Sequence, residues 1–229
     1  MTDREKYYDQ GFLQKEFVAS ESLKKIRQIV NDLGRGQIRT GFSLEEKYHL
    51  SKDLRPNVLD YDDAFVGLLA NNNIPGLWKD LVEPGLVLSH IQLRISFTGK
   101  SYMDWHRDTY KYGDKFVGNV PPVQKIIYYP PMIENVFYPR LKVIPGSHRK
   151  QIDQRWLDLW QAKLRKPAII QDSPNQFLLF NTSLLHAVIP VKLPQGSFRL
   201  IYSFCQDFQL PPQELEQRTA AKYRQLGAS

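Results

Sequence analysis

The hydrophobic rhythm of the chain changes near residue 86. Before that point apolar residues recur at helical spacing. Ser20 precedes Glu21–Leu33, where Leu23, Ile26, Ile29 and Val30 fall on one stripe, and Gly34 stops the run. A second helical stretch, roughly Tyr61–Asn71, aligns Phe65, Leu68 and Leu69, and a third, Pro75–Val82, is closed by Pro84-Gly85. Between the first and second, Tyr48–Leu59 mixes polarities around a proline and reads as a connecting loop. Beyond residue 86 the apolar residues come in short runs punctuated by Pro and Gly, the pattern of an all-β core. The predicted strands are Val87–Phe97, Val123–Tyr129, Leu141–Ile144, Ala168–Gln171, Gln176–Phe180, Ala187–Val191 and Phe198–Phe204. Asp153–Lys163, with Trp156, Leu159 and Trp160, reads as a helix inserted in a long connection, and the charged stretch from Pro211 as a peripheral helix.

One strand carries orientation as well as existence. In Phe198–Phe204 the residues Phe198, Leu200, Tyr202 and Phe204 point one way, and Arg199, Ile201 and Ser203 the other. The first set is too apolar for open solvent, so the N-terminal helices are expected to cover it. Arg199 is then left on the inner face. The expected organisation is a single domain, 1–229: mainly helical over 1–85, a β core over 86–208 and a tail over 209–229.

Composition narrows the classes. The 229 residues are 42% apolar and 24% charged, ordinary values for a globular chain. No apolar stretch approaches the roughly 18 residues of a membrane span. Met1–Lys6 is polar, with no apolar segment behind it, and Cys205 is the single cysteine, so a cytoplasmic protein is the expectation. The net charge of +7 favours anionic ligands, whether a keto acid, a phosphorylated or CoA-linked substrate, or nucleic acid. A solvated basic surface has the same composition. Without a Lys/Arg-rich run or a recognised motif, nucleic acid is disfavoured.

The candidate chemistry centres on Trp105-His106-Arg107-Asp108. In extended backbone, residues two apart project to the same side, so His106 and Asp108 can share one metal ion. With a second imidazole they form the facial triad of non-haem Fe(II), and His186, entering a predicted strand 80 residues on, is the natural third ligand. The His-x-Asp triplet by itself also suits an ordinary polar turn. Arg199 follows His186 by 13 residues. A guanidinium there can grip the C5 carboxylate of a metal-chelating 2-oxoglutarate with two parallel hydrogen bonds, or pair with a core acid. His148 reads as a structural turn residue, and His49 and His90 as ordinary polar residues.

In order along residues 90–205, four features resemble the phytanoyl-CoA dioxygenase-like family. They are Gln92–Asp108 with its His106-Arg107-Asp108, the Leu141–His148 segment ending Pro145-Gly146-Ser147-His148, the Leu178–His186 strand, and Arg199. The resemblance implies a double-stranded β-helix, a cupin-like jelly roll. It also implies an Fe(II)- and 2-oxoglutarate-dependent dioxygenase that uses O2 and releases succinate and CO2. His106, Asp108 and His186 would be the iron ligands and Arg199 the cosubstrate arginine, with Gln92 and Gln124 near further cosubstrate contacts. Both glutamines also suit ordinary strand hydrogen bonding. Asp108 disfavours the related halogenases, which lack the metal carboxylate. Arg199 disfavours prolyl-hydroxylase-like enzymes, which use lysine. Cys205, six residues after Arg199, disfavours nucleic-acid demethylases, which carry a second arginine there. The implied substrate is a small or anionic organic molecule. A metal-binding module without oxygenase activity and a dioxygenase acting on a macromolecule stay open. Thr109–Pro122 and Tyr129–Tyr138 depart from the family pattern and are expected at the pocket mouth, with Trp105, Tyr110, Tyr112, Phe116, Tyr128 and Tyr129 as candidate aromatic lining or as core.

Overall fold

The computed structural model describes residues 1–17, 21–34, 54–56, 58, 62–82, 86–96, 100–112, 115–118, 124–150, 154–194 and 196–206. The tail expected from Pro211 and His49 lie outside the described residues. Helix α1 (Asp3–Gln10) and strand β1 (Phe12–Glu16) open the chain, followed by α2 (Glu21–Gly34) and β2 (Leu54–Pro56). Helices α3 (Ala64–Ala70) and α4 (Ile74–Leu81) lead into β3 (Leu86–Ser96), β4 (Lys100–His106) and the hairpin of β5 (Thr109–Tyr112) and β6 (Lys115–Gly118). Next come β7 (Gln124–Tyr128), β8 (Pro139–Val143), α5 (Arg155–Leu164) and β9 (Ala168–Gln171). Strands β10 (Gln176–Asn181), β11 (His186–Lys192) and β12 (Ser197–Gln206) complete the core.

The first third is less helical than its spacing suggests. Strand β1 pairs with β10, Phe12 opposite Phe180, and β2 pairs with β3, Leu54 opposite Arg94. Pro56 is tolerated because β2 is an edge strand, where one missing N–H breaks no ladder. Helix α1 is set by its ends. Thr2 and Glu5 form a reciprocal capping box, and Gly11, at φ 81°, closes the helix in the left-handed region.

Two antiparallel sheets form the jelly roll. One runs β1-β10-β7-β12-β3-β2 and the other β4-β11-β8-β9. This order interleaves strands far apart in sequence, as a double-stranded β-helix requires. The outer face of the larger sheet buries Leu93, Phe198, Leu200 and Tyr202 against Ile26, Phe65 and Trp78 of the helices, as the strand alternation predicts. Tyr202 donates to the Phe65 carbonyl at 3.0 Å, fastening α3 to β12. Between the sheets a second core gathers Ile127, Leu178, Phe180 and Ile201 against Leu141, Val143 and Val188. Each such side chain, fully buried, stabilises by about 1.5–3 kcal/mol. Among the described residues no helix is long and apolar enough to cross a membrane.

Candidate metal centre

The triad comes together at one end of the smaller sheet. His186 opens β11 and sits directly opposite His106, the last residue of β4, with Val143 of β8 on its other side. Val188, two residues on, pairs with Met103, three residues back, so β4 carries one extra residue between the pairs. That bulge lets both Met103 and His106 share a face with their β11 partners, which a regular ladder would forbid. Asp108 follows in the bend after β4. Its Oδ1 lies 3.6 Å from His106 Nε2 and its Oδ2 3.9 Å from His186 Nε2. The imidazole centroids are 4.1 Å apart, and one ligand atom from each residue falls within 4.8 Å of the other two.

The protons on these rings are fixed by their backs. His106 Nδ1 lies 2.7 Å from the Asp104 carbonyl and His186 Nδ1 2.8 Å from the Leu184 carbonyl. A carbonyl oxygen can only accept, so each Nδ1 carries a hydrogen and each Nε2 is the nitrogen left to face the cluster. Burial pushes His186 down to about 4, partly opposed by the Asp108 charge, so this ring is neutral near pH 7. For Asp108 burial acts upward, but Lys125 and the two imidazoles outweigh it and hold the carboxyl well below the usual carboxylate range. Two imidazole Nε2 atoms, that of His186 unprotonated near pH 7, and a carboxylate thus converge. Such a donor set fits a divalent cation and, with three ligands on one side, leaves coordination positions open.

The supports of the triad include a residue that has no signature in the sequence. Arg107, between His106 and Asp108, is 2% exposed and turns away from the candidate metal site. Its Nε and Nη2 donate to the Asp158 carboxylate of α5 at 2.6 and 2.5 Å, and Nη1 donates to the carbonyls of Ser147 (2.8 Å) and Ser183. One side chain therefore joins the end of β4, the Pro145–His148 turn, the approach to His186 and the inserted helix. Asp108 N donates to the Thr182 carbonyl at 3.0 Å, and buried Ser147 Oγ accepts from Leu185 N at 2.8 Å. His148 is structural, as expected, with Nε2 2.9 Å from the Tyr8 carbonyl.

Arg199 lies on the inner face, as the alternation predicts, and is 9% exposed. Among the described residues no carboxylate pairs with it, and its Nε is buried without a hydrogen bond. It stands four residues along β12 from Ser203, the residue opposite Lys125, or about 13 Å by strand rise. Gln92 shares that inner face, half-buried opposite Ile201. The structure does not bring Gln124 to the triad. It pairs with Phe204, faces the helices and accepts from the Tyr7 hydroxyl. Alternation gives the inward place to its neighbour Lys125, whose Nζ is 2.8 Å from Asp108 Oδ2. Both faces of β7 are apolar further along, so the sequence alone left this parity undecided.

Of the two expected mouth segments, Thr109–Pro122 leaves directly from Asp108, and its described part is the β5–β6 hairpin. Tyr129–Tyr138 instead turns at the end of β7 and β8 remote from the triad, since β7 runs away from Lys125 and β8 returns to Val143 beside His186. Tyr128 belongs to the helix-side core, and Tyr129, 3% exposed, carries the Arg140 guanidinium over its ring. Trp105 is half-buried.

No protein-family model matches the chain, and no curated protein matches it in sequence. Solved structures do match in fold. EvdMO1 is 14% identical with a TM-score of 0.66, covering 89% of this chain but 49% of its own, so the chain spans about half that relative's length. EctD from S. alaskensis, with bound Fe, is 13% identical with a TM-score of 0.69 over 95% of this chain and 81% of its own, and was also solved with 2-oxoglutarate and 5-hydroxyectoine. SnoK, a non-haem α-ketoglutarate-dependent carbocyclase from nogalamycin biosynthesis, is 10% identical with a TM-score of 0.64 over 90% of this chain and 83% of its own. At these identities the likeness establishes the jelly-roll fold.

Proposed function

We propose that the chain is a non-haem Fe(II)- and 2-oxoglutarate-dependent dioxygenase of the phytanoyl-CoA dioxygenase-like type that hydroxylates a small or anionic organic substrate. The observation that carries this reading is the convergence of His106 Nε2, Asp108 and His186 Nε2 within 4.8 Å, with both Nδ1 atoms tied to carbonyls. The fold matches in EctD with Fe and with 2-oxoglutarate and in SnoK support the same choice of cation and cosubstrate. Iron held there supplies the activation of O2 coupled to oxidation of 2-oxoglutarate to succinate and CO2. The protein's part is to hold the cation from one side and, through the carbonyls at Nδ1, to turn both Nε2 atoms toward it. Ile127, Ile201 and Phe180 wall the space between the sheets and exclude water. Arg199, buried without an acidic partner among the described residues, binds the C5 carboxylate, which meets the cost of burying that cation.

The test is anaerobic addition of Fe(II) and 2-oxoglutarate. A chelate gives a weak visible charge-transfer band, and aerobic turnover releases succinate. A metal-binding module without oxygenase activity gives neither, and that result refutes the reading. Arg199→Lys should raise KM for 2-oxoglutarate by about 10- to 150-fold, the loss of one charge-assisted hydrogen bond at a buried site, while leaving Fe(II) affinity near wild type. Arg199→Met should be worse, yet barely alter KM for 2-oxobutyrate, which lacks the C5 carboxylate. Equal losses for both keto acids would place Arg199 in a structural role.

A further inference from the structure

Lys125 is the basic side chain that touches the ligand set among the described residues. Its Nζ lies 2.8 Å from Asp108 Oδ2, the same oxygen that faces His186 Nε2 at 3.9 Å. It is 9% exposed, and its strand neighbours are Phe180 on β10 and Ser203 on β12, both fully buried. Burying a lysine is costly, and an apolar residue would fill this inner position at lower cost. What the lysine adds is charge. Without a metal, Asp108 and Lys125 sum to zero. With a divalent cation the set carries +2 in a largely dehydrated space, and that excess attracts an anion onto the cation.

We propose that Lys125 is the resident counter-charge of the metal site: it balances Asp108 before a cation arrives, and afterwards makes binding of the cation and of an anionic ligand on it depend on one another. Lys125 thus weakens the metal and strengthens the keto acid. The effect on the cation stands on the geometry alone. Only the identity of the anion, 2-oxoglutarate, rests on the function proposed above. Two consequences of removing the charge act in the same direction on the metal. Repulsion between the ammonium and a dication on the same carboxylate disappears. In the metal-free protein Asp108 becomes a partly buried charge without its ammonium partner, a charge that the metal then neutralises.

The experiment uses Co(II), read by its visible d–d bands without turnover, on wild type, Lys125→Met and Lys125→Arg. Lys125→Met should bind Co(II) at least about tenfold more tightly, because like charges this close exceed that factor even at an effective dielectric near 20. Co(II) should also raise its melting temperature more than that of wild type. In the Co(II)-loaded protein, 2-oxoglutarate should bind Lys125→Met at least about fivefold more weakly. Lys125→Arg, which keeps the charge, should stay near wild type for the metal. A merely structural lysine would weaken both ligands when removed. Equal or weaker Co(II) binding by Lys125→Met overturns the proposal, as does tightening by Lys125→Arg to the same degree or unchanged 2-oxoglutarate affinity. Where Lys125→Met does not fold, Lys125→Gln, which retains a donor to Asp108, must tighten Co(II) in its place. If 2-oxoglutarate fails to bind the wild-type Co(II) protein, the functional reading falls while the Co(II) comparison still decides the role of Lys125.

Discussion

Replacing Asp158 by alanine removes the carboxylate that neutralises Arg107, at a depth where water cannot take its place. Both residues are 2% exposed, and the guanidinium makes two hydrogen bonds to this one carboxylate, at 2.6 and 2.5 Å. In Asp158→Ala the Ser147 and Ser183 carbonyls still accept from Nη1, but the charge has lost its counter-ion in a dry site. Breaking a buried pair by removing one partner costs about 3–5 kcal/mol. For a chain of this length that lowers Tm by roughly 6–20 °C. Replacing both members, Arg107→Met with Asp158→Leu, should recover much of the loss, since neither charge is then buried. Arg107 sits between His106 and Asp108, two of the proposed ligands, so Asp158→Ala should also weaken Co(II) binding by about tenfold, although Asp158 touches neither. Urea unfolding of the metal-free proteins measures the first effect and Co(II) titration the second. A loss below about 1 kcal/mol, or a double variant as unstable as the sum of its singles, would refute the clamp.

Gly11→Ala should destabilise by about 1–3 kcal/mol, since a Cβ there would stand 2.4 Å from His148 Nδ1 and the backbone is at φ 81°. Thermal melts with and without His148→Ala separate the two causes, because His148→Ala relieves the contact and not the backbone strain. Stability of the metal-free protein should fall as pH drops from about 6.5 to 4. In that window the unfolded chain protonates His186 while the folded ring, pushed down to about 4 chiefly by burial, stays neutral, so acid favours unfolding by on the order of 3 kcal/mol. His186→Gln should flatten that slope in urea titrations between pH 4 and 7, and an unchanged slope would contradict the burial argument.

The elements that announced themselves in the sequence are those whose periodicity is reinforced by tertiary burial. Helix α2 and strand β12 each put an apolar stripe against the same outer core, so local pattern and packing agree. Helix α1 carries no periodic signal in the sequence because it is short and polar. Its signals were chemical rather than periodic: Thr2 and Glu5 at capping-box spacing, then Gly11. The cluster of His106, Asp108 and His186 was legible because the residue types and their spacing carry the chemistry themselves. Lys125 was not, because a single step of parity along β7 decides whether Gln124 or Lys125 faces inward, and both faces of that strand are apolar beyond it. Arg107 was hidden for a different reason. Its partner Asp158 lies 51 residues away on an inserted helix, and only the folded chain makes a buried acid of it.

The pairing of His186 with His106 on one side and Val143 on the other has a consequence for how the sheet comes to be in this alignment. Side chains alternate along a strand, so a slip of β11 by one place would turn the imidazole outward and carry Ala187 in. An ion held as proposed by His106, Asp108 and His186 would be gripped in one alignment only. It would therefore discriminate among near-degenerate pairings that hydrophobic side chains such as Val188 and Ile189 distinguish poorly. The centre is in this sense a gauge of the ladder, and metal added during refolding should favour molecules whose strands have already met in the native order.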